Sequence, residues 1–233
     1  MSLERETHDG VALLRLARPP VNALDLPTIL ALEAAFADLT RERPKGLVLG
    51  GADGVFSAGV DTRAFAAYGP DEKAEMVRAI TRMVSRLYGL PFPMVAAIGG
   101  HALGGGLVLA LACDVRLAAV GEARLGLTEA RAGIPFPAGP LEVIRAELAP
   151  DLLRLMTLTS ITIGPEELRT RGVIDRTFPP AELEAAALAT ATDLAAQPAF
   201  AIVKRQVRAP VLERLALLAA SGDDPLIEIF SRS

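Results

Sequence analysis

At 233 residues, 51% of them hydrophobic and 22% charged, the chain has enough apolar material for one large packed core, which excludes disorder over most of its length. A net charge of −4 gives no electrostatic reason to expect a nucleic-acid partner. A lone Cys113 excludes an internal disulfide and fits a reducing compartment, with the cytoplasm the simplest assignment.

From Met1 to Arg18 the chain carries Glu4, Arg5, Glu6, His8 and Asp9 ahead of any apolar run, which is unlike a signal peptide. Val11 to Leu16 is a short apolar run closed by Arg18-Pro19-Pro20, read as a strand and a loop. From Pro27, Ile29, Leu32, Phe36 and Leu39 recur at helical spacing until Pro44 and Gly46 stop them. Gly46 to Gly50 is a second buried strand, followed after a glycine-rich loop by a helix with Met76, Ile80, Met83, Val84 and Leu87 on one face. Met94 to Ile98 is a third strand, running into Gly99-Gly100-His101-Ala102-Leu103-Gly104-Gly105-Gly106. Alternating strands and helices predict an α/β fold with a buried, largely parallel sheet.

Leu103 to Cys113, the longest apolar stretch, is about half of what a bilayer span requires and is studded with glycine, so no membrane anchor is expected. Beyond about residue 150, Leu152 to Leu158, Pro165 to Arg171 and Ala181 to Ala196 are helical in character, with no strong strand following. The predicted organisation is a core over 1–178 and a helical region over 179–233. No internal repeat of 20 to 50 residues is legible.

Two loops place glycine after a strand and before a helix, where backbone N–H groups are free to point outward. They are Phe56-Ser57-Ala58-Gly59-Val60-Asp61 and His101-Ala102-Leu103-Gly104-Gly105-Gly106. Taken singly, each reads as a tight turn or a close helix contact. Two amides converging from separate loops instead make an oxyanion hole for a carbonyl oxygen that gains charge.

In order along the chain, these motifs resemble the enoyl-CoA hydratase/isomerase (crotonase) family from about Val11 to Phe178. Arg18-Pro19-Pro20-Val21-Asn22-Ala23-Leu24 is similar to its first coenzyme A loop and FSAGVD (56–61) to its first oxyanion motif. GHALGGG (100–106), Cys113-Asp114, Leu127-Thr128-Glu129 with Gly133, and Gly172-Val173-Ile174-Asp175 with Pro179 continue the order. The resemblance implies a crotonase-like spiral of ββα units with a helical C-terminal region that serves trimerisation and covers the acyl-CoA. It also implies a homotrimer or hexamer and an acyl-CoA thioester as substrate, with coenzyme A part of that substrate and no separate cofactor or metal. The amides of Val60 and Gly105 would bind the thioester oxygen, and Val21, Ala23, Ala58 and Asp61 would lie along the coenzyme A.

Hydratases of the family use two glutamates to position water. Here the first position is Val108 and the second is Glu129, so half of the two-carboxylate apparatus is missing. One carboxylate beside an oxyanion hole is enough to move a proton, and the Δ3,Δ2-enoyl-CoA isomerases share this pattern. The segment Gly133-Ile134-Pro135-Phe136-Pro137 departs from the hydratases in the same direction. The expectation is an enoyl-CoA isomerase using Glu129. The alternatives are an enoyl-CoA hydratase or another crotonase reaction, in which Glu142 or Asp61 replaces the missing carboxylate, and a weakly active acyl-CoA-binding protein.

Blander readings apply elsewhere. Glu129 also suits the first turn of a helix, where acids are favoured. His101 reads as structural and Cys113 as a buried thiol. Ser57 lies outside any nucleophile elbow. The glycine run lacks the ending of a phosphate loop. Two histidines, His8 and His101, cannot build a histidine-rich metal site. Arg131 has no assigned role, and the chemistry of the segment ending at Ser233 stays open.

Overall fold

A computed structural model of the chain describes residues 2–231; Met1 and Ser233, which figure in the readings above, lie outside them with Arg232. The fold opens with a hairpin of β1 (Leu3–His8) and β2 (Val11–Leu16), followed by α1 (Leu26–Glu42) and β3 (Gly46–Gly51). Next come α2 (Thr62–Ala67), α3 (Pro70–Tyr88), β4 (Met94–Ile98), β5 (Ala102–Leu103), α4 (Gly105–Leu111), β6 (Val115–Ala119) and β7 (Leu125–Gly126). After these follow α5 (Glu129–Ala132), α6 (Ala138–Glu147), α7 (Pro150–Thr159), β8 (Thr162–Ile163), α8 (Pro165–Thr170) and β9 (Arg176–Phe178). The helices α9 (Leu183–Ala195), α10 (Phe200–Ser221) and α11 (Pro225–Ser231) complete the described chain.

Helix boundaries follow local chemistry. Asp25 caps α1 by accepting the Thr28 N–H at 2.9 Å, with Pro27 in the first turn, and Arg43 closes it in the left-handed region at φ 52°. Glu72 of α3 reaches back to the Gly69 N–H at 3.0 Å.

The main sheet has the order β1-β2-β3-β4-β6-β9, antiparallel only at β1–β2. Alternation along β2 sends Ala12, Leu14 and Leu16 into the larger core with α1, α3 and α4. Val11 and Leu13 go to the other face, where Val48, Val95, Leu117, Leu183, Ala187 and Ala191 join them. Helix α9 covers that second face, so the sheet is buried on both sides, as parallel sheets require.

A second sheet of order β5-β7-β8 supplies the inner layer. Units of one outer strand, one inner strand and a helix repeat: β4-β5-α4, then β6-β7-α5. Isolated bridges at Ser57↔Ala102 and Leu24↔Val60 stand in for the inner strand after β3 and β2. This is the expected crotonase-like spiral. Its repeat is invisible in the sequence because the inner strands are two residues or a single bridge, too short for a hydrophobic period.

Beyond residue 150 the strands are short: β8 pairs with β7, and β9 adds Arg176, Thr177 and Phe178 beside Leu117, Ala118 and Ala119. These strands have two and three residues and lack an apolar run, so pairing with a neighbour decides their conformation.

Helix α10 docks through charge as well as hydrophobicity. Its Lys204 and Arg208 are buried and meet Asp114 at 2.8 Å and 3.1 Å. Arg208 also lies 3.9 Å above the Tyr88 ring and donates to the Tyr88 and Ala112 carbonyls. Burial lowers the Lys204 ammonium to about 8, against the pull of Asp114. Among the described residues no single helix is long and apolar enough to cross a membrane.

Candidate active site

The loop after β3 is set by Asn22 and Ser57, both buried. Asn22 donates through Nδ2 to the Ala52 and Val55 carbonyls at 3.1 Å and 2.8 Å, and its Oδ1 accepts the Arg18 N–H. Ser57 Oγ donates to the Asn22 carbonyl at 2.7 Å and accepts the Gly59 N–H at 3.1 Å. That hydroxyl ties two loops together, in keeping with its reading as no nucleophile.

Gly59 has φ +80°, and a Cβ there would stand 2.5 Å from the Leu103 carbonyl, so only glycine lets this loop close against the next. The closure brings two amides together. Gly59's missing Cβ would lie 2.9 Å from the Gly105 nitrogen, and Gly105's would lie 3.8 Å from the Val60 nitrogen. Among the described residues no backbone acceptor takes the N–H of Val60 or Gly105, while the flanking Gly59 and Asp61 amides are bonded. Gly105 opens α4, where first-turn amides have no partner within the helix. Two free donors from separate loops, at one end of a cavity, have the form of an oxyanion hole.

Glu129 begins α5, and its carboxylate folds back over Gly104, whose Cβ would stand 3.0 Å from Oε1. Oε2 is sealed from solvent and has no hydrogen-bond partner, although the residue as a whole is half-buried. Burial pushes the carboxyl up to about 7, while the amides of Glu129 and Thr128 pull the other way. Helix-end amides therefore do reach the carboxylate, but burial outweighs them, and a capping role alone does not account for the shift.

The cavity has a volume of about 160 Å³ and opens to solvent. Ala58, Val60, Gly104, Gly105, Val108 and Glu129 line its chemical end, with Thr62 and Thr128 beside them. Phe65, Met76, Val77, Ile80, Leu226 and Phe230 line the wall made by α2, α3 and α11, and Ile134 to Pro137 complete it. Glu129 is the one ionisable side chain among these lining residues.

Of the residues expected along a coenzyme A, Ala58 lines the cavity. Val21 is exposed on the adjoining loop and its carbonyl accepts the Ala58 N–H at 2.9 Å; Ala23 is buried beneath it. Asp61 turns away: it caps α2 through the Ala64 N–H at 3.0 Å and pairs with Arg18 at 2.9 Å, which hold its carboxyl below the usual range. Glu142 lies outside the cavity, beside Arg145 and Arg214. Neither acid stands where it would replace a carboxylate at Val108.

The bland readings fit the geometry. His101 is exposed and accepts the Arg124 N–H at Nδ1, and burial raises the Cys113 thiol to about 12. Arg131 gains a role: it donates through Nη2 to the Ser160 carbonyl at 2.8 Å, and so fixes the left-handed end of α7 beside α5. The residues that sequence reasoning missed are Phe65, Leu226 and Phe230, brought to one wall from distant elements. Met76 and Ile80 were legible as a buried helix face, with no sign that the face borders a cavity.

The family described as enoyl-CoA hydratase/isomerase matches residues 6–223. The chain is 39% identical over 195 residues to a glyoxysomal fatty acid beta-oxidation multifunctional protein MFP-a of Brassica napus, covering 80% of this chain and 26% of that protein. It thus spans about a quarter of such multifunctional relatives. It is 33% identical to a carnitinyl-CoA dehydratase of Salmonella heidelberg, covering 87% of this chain and 79% of the relative. The structure of human mitochondrial delta3-delta2-enoyl-CoA isomerase superposes with a TM-score of 0.88 at 26% identity, covering 99% of this chain and 90% of that one.

Proposed function

Because this chain belongs to the enoyl-CoA hydratase/isomerase family, we propose that it is an enoyl-CoA isomerase, which moves a double bond by a proton shuttle on Glu129. The observation that carries this reading is that a single carboxylate lines the cavity, with Val108 where a second would be needed to orient water.

The step balances on this chain's own residues. In a 3-enoyl-CoA, the Glu129 carboxylate takes a proton from C2, and the electron pair passes into the thioester carbonyl and the adjacent double bond. The Val60 and Gly105 amides donate to the dienolate oxygen as its charge develops. Glu129 returns the proton at C4, leaving the double bond between C2 and C3 and the carboxylate restored. An acid near 7 suits both halves, since it is neither too weak a base to take the proton nor too weak an acid to return it.

Coenzyme A would run past Ala58 and along the loop of Val21 and Ala23, with Asp61 holding Arg18 in place. Assembly as a homotrimer belongs to the same reading. Ile202, Val203, Val207 and Leu217 of α10, each more than half exposed, are the apolar surface that supports it.

Glu129→Gln tests the assignment. Affinity for an acyl-CoA should be retained, and conversion of a 3-enoyl-CoA should fall by about a thousandfold. Unchanged turnover would remove Glu129 as the base.

A further inference from the structure

Resting on the reading that the cavity takes an acyl-CoA, we infer that the acyl group is an aliphatic chain without polar substituents, and that Phe65 and Phe230 together limit its length. The polar side chains lining the cavity, Thr62, Thr128 and Glu129, all adjoin the loops that carry Val60 and Gly105 or belong to the start of α5. The opposite wall, made by Phe65 of α2 with Met76, Val77 and Ile80 of α3 and Leu226 and Phe230 of α11, offers only aliphatic, thioether and aromatic surface. A hydroxyl or carboxylate carried by the acyl chain would be buried there without a partner, which is costly.

The Phe65 and Phe230 rings meet edge to face, with centroids 5.1 Å apart and planes at 73°. They join α2, directly after the Val60 loop, to α11 near the end of the described chain. The Lys73 ammonium lies over the Phe65 ring, 5.7 Å from its centre, and helps to hold the ring in place.

Helix α11 is held firmly enough to act as a wall. Asp224 accepts the Ala138 N–H at 2.7 Å through Oδ2 and the Leu226 N–H at 3.0 Å through Oδ1, while Arg78 donates to the Gly222 carbonyl at 3.3 Å. The same Asp224 therefore ties α11 to the first residue of α6, which follows the Ile134–Pro137 part of the lining. Leu226 and Phe230, one turn apart, face inward together.

The test compares binding of hexanoyl-, decanoyl- and tetradecanoyl-CoA, which cannot react, to the unaltered protein and to Phe230→Ala and Phe65→Leu. Each substitution should raise the ratio of tetradecanoyl to hexanoyl affinity by about tenfold. Phe65→Leu keeps a bulky apolar residue in the core, so the effect remains readable if Phe230→Ala loosens α11. Decanoyl-CoA carrying a terminal hydroxyl should bind at least about tenfold more weakly than decanoyl-CoA. An unchanged length ratio in both variants, or equal affinity for the hydroxylated chain, would overturn the inference. Binding with the expected length profile but no conversion of a 3-enoyl-CoA would refute the isomerase reading and leave this inference standing. Failure to bind any acyl-CoA would overturn both.

Discussion

Gly104 and Glu129 pack so closely that a side chain at Gly104 would press on the carboxylate: a Cβ there would stand 3.0 Å from Glu129 Oε1 and 3.5 Å from its carboxyl carbon. Gly104 also has φ +51° and ψ −125°, a conformation that disfavours L-residues. Gly104→Ala should therefore displace the carboxylate by a fraction of an ångström and strain the loop. The expected result is a loss of about a hundredfold in kcat for a 3-enoyl-CoA, measured by absorbance of the conjugated product. Turnover within twofold of the unaltered protein would mean that the carboxylate position does not matter.

The pH profile of kcat/KM follows from the base having to be ionised before it takes a proton. Burial holds Glu129 near 7 in the free protein, so activity should rise with pH and level off above about 7. A profile already flat from pH 5 upward would show that another group governs the reaction.

The same shift has a consequence for stability. In the unfolded chain Glu129 ionises near the ordinary glutamate value of 4.5, while burial in the folded protein pushes it up to about 7. Between these values the folded state binds more protons, so stability falls as pH rises, by on the order of 3 kcal/mol in total. Glu129→Gln removes this dependence. The variant should gain stability relative to the unaltered protein as pH increases from 5 to 8, in urea unfolding at each pH. A constant difference would argue that the carboxyl is not desolvated in the fold.

Asp114 anchors the C-terminal region by accepting the Met94 N–H at 2.8 Å and pairing with both Lys204 and Arg208. Asp114→Ala leaves two buried cations without that partner and should cost about 3–5 kcal/mol. Denaturant unfolding should report a lower midpoint, and a loss below about 1 kcal/mol would show that the pairing is dispensable.

Much of the chemical end of the site was legible in the sequence because it is made by short contiguous motifs. Ala58, Val60 and Gly105 lie on glycine-bounded loops, and Val108 and Glu129 stand at fixed places after them. The apolar wall was not legible, since Phe65, Leu226 and Phe230 are far apart along the chain and come together only through the packing of α11 on α3. Asp61 was named from its place in a motif, and the structure adds what the motif did not show: its carboxylate caps α2 and pairs with Arg18. In the fold, β2, β3 and β4 were readable as buried runs. β1 was missed because its LERETH sequence is largely exposed and is held by pairing with β2.

The most direct measurement of the central claim is product identity by mass and chromatography, with purified protein given a 3-enoyl-CoA and, separately, a 2-enoyl-CoA. The account predicts that the first becomes its 2-enoyl isomer with no gain of water and that the second is not hydrated. Hydration of the second without isomerisation of the first would contradict it, and would require water to be activated without a carboxylate at position 108.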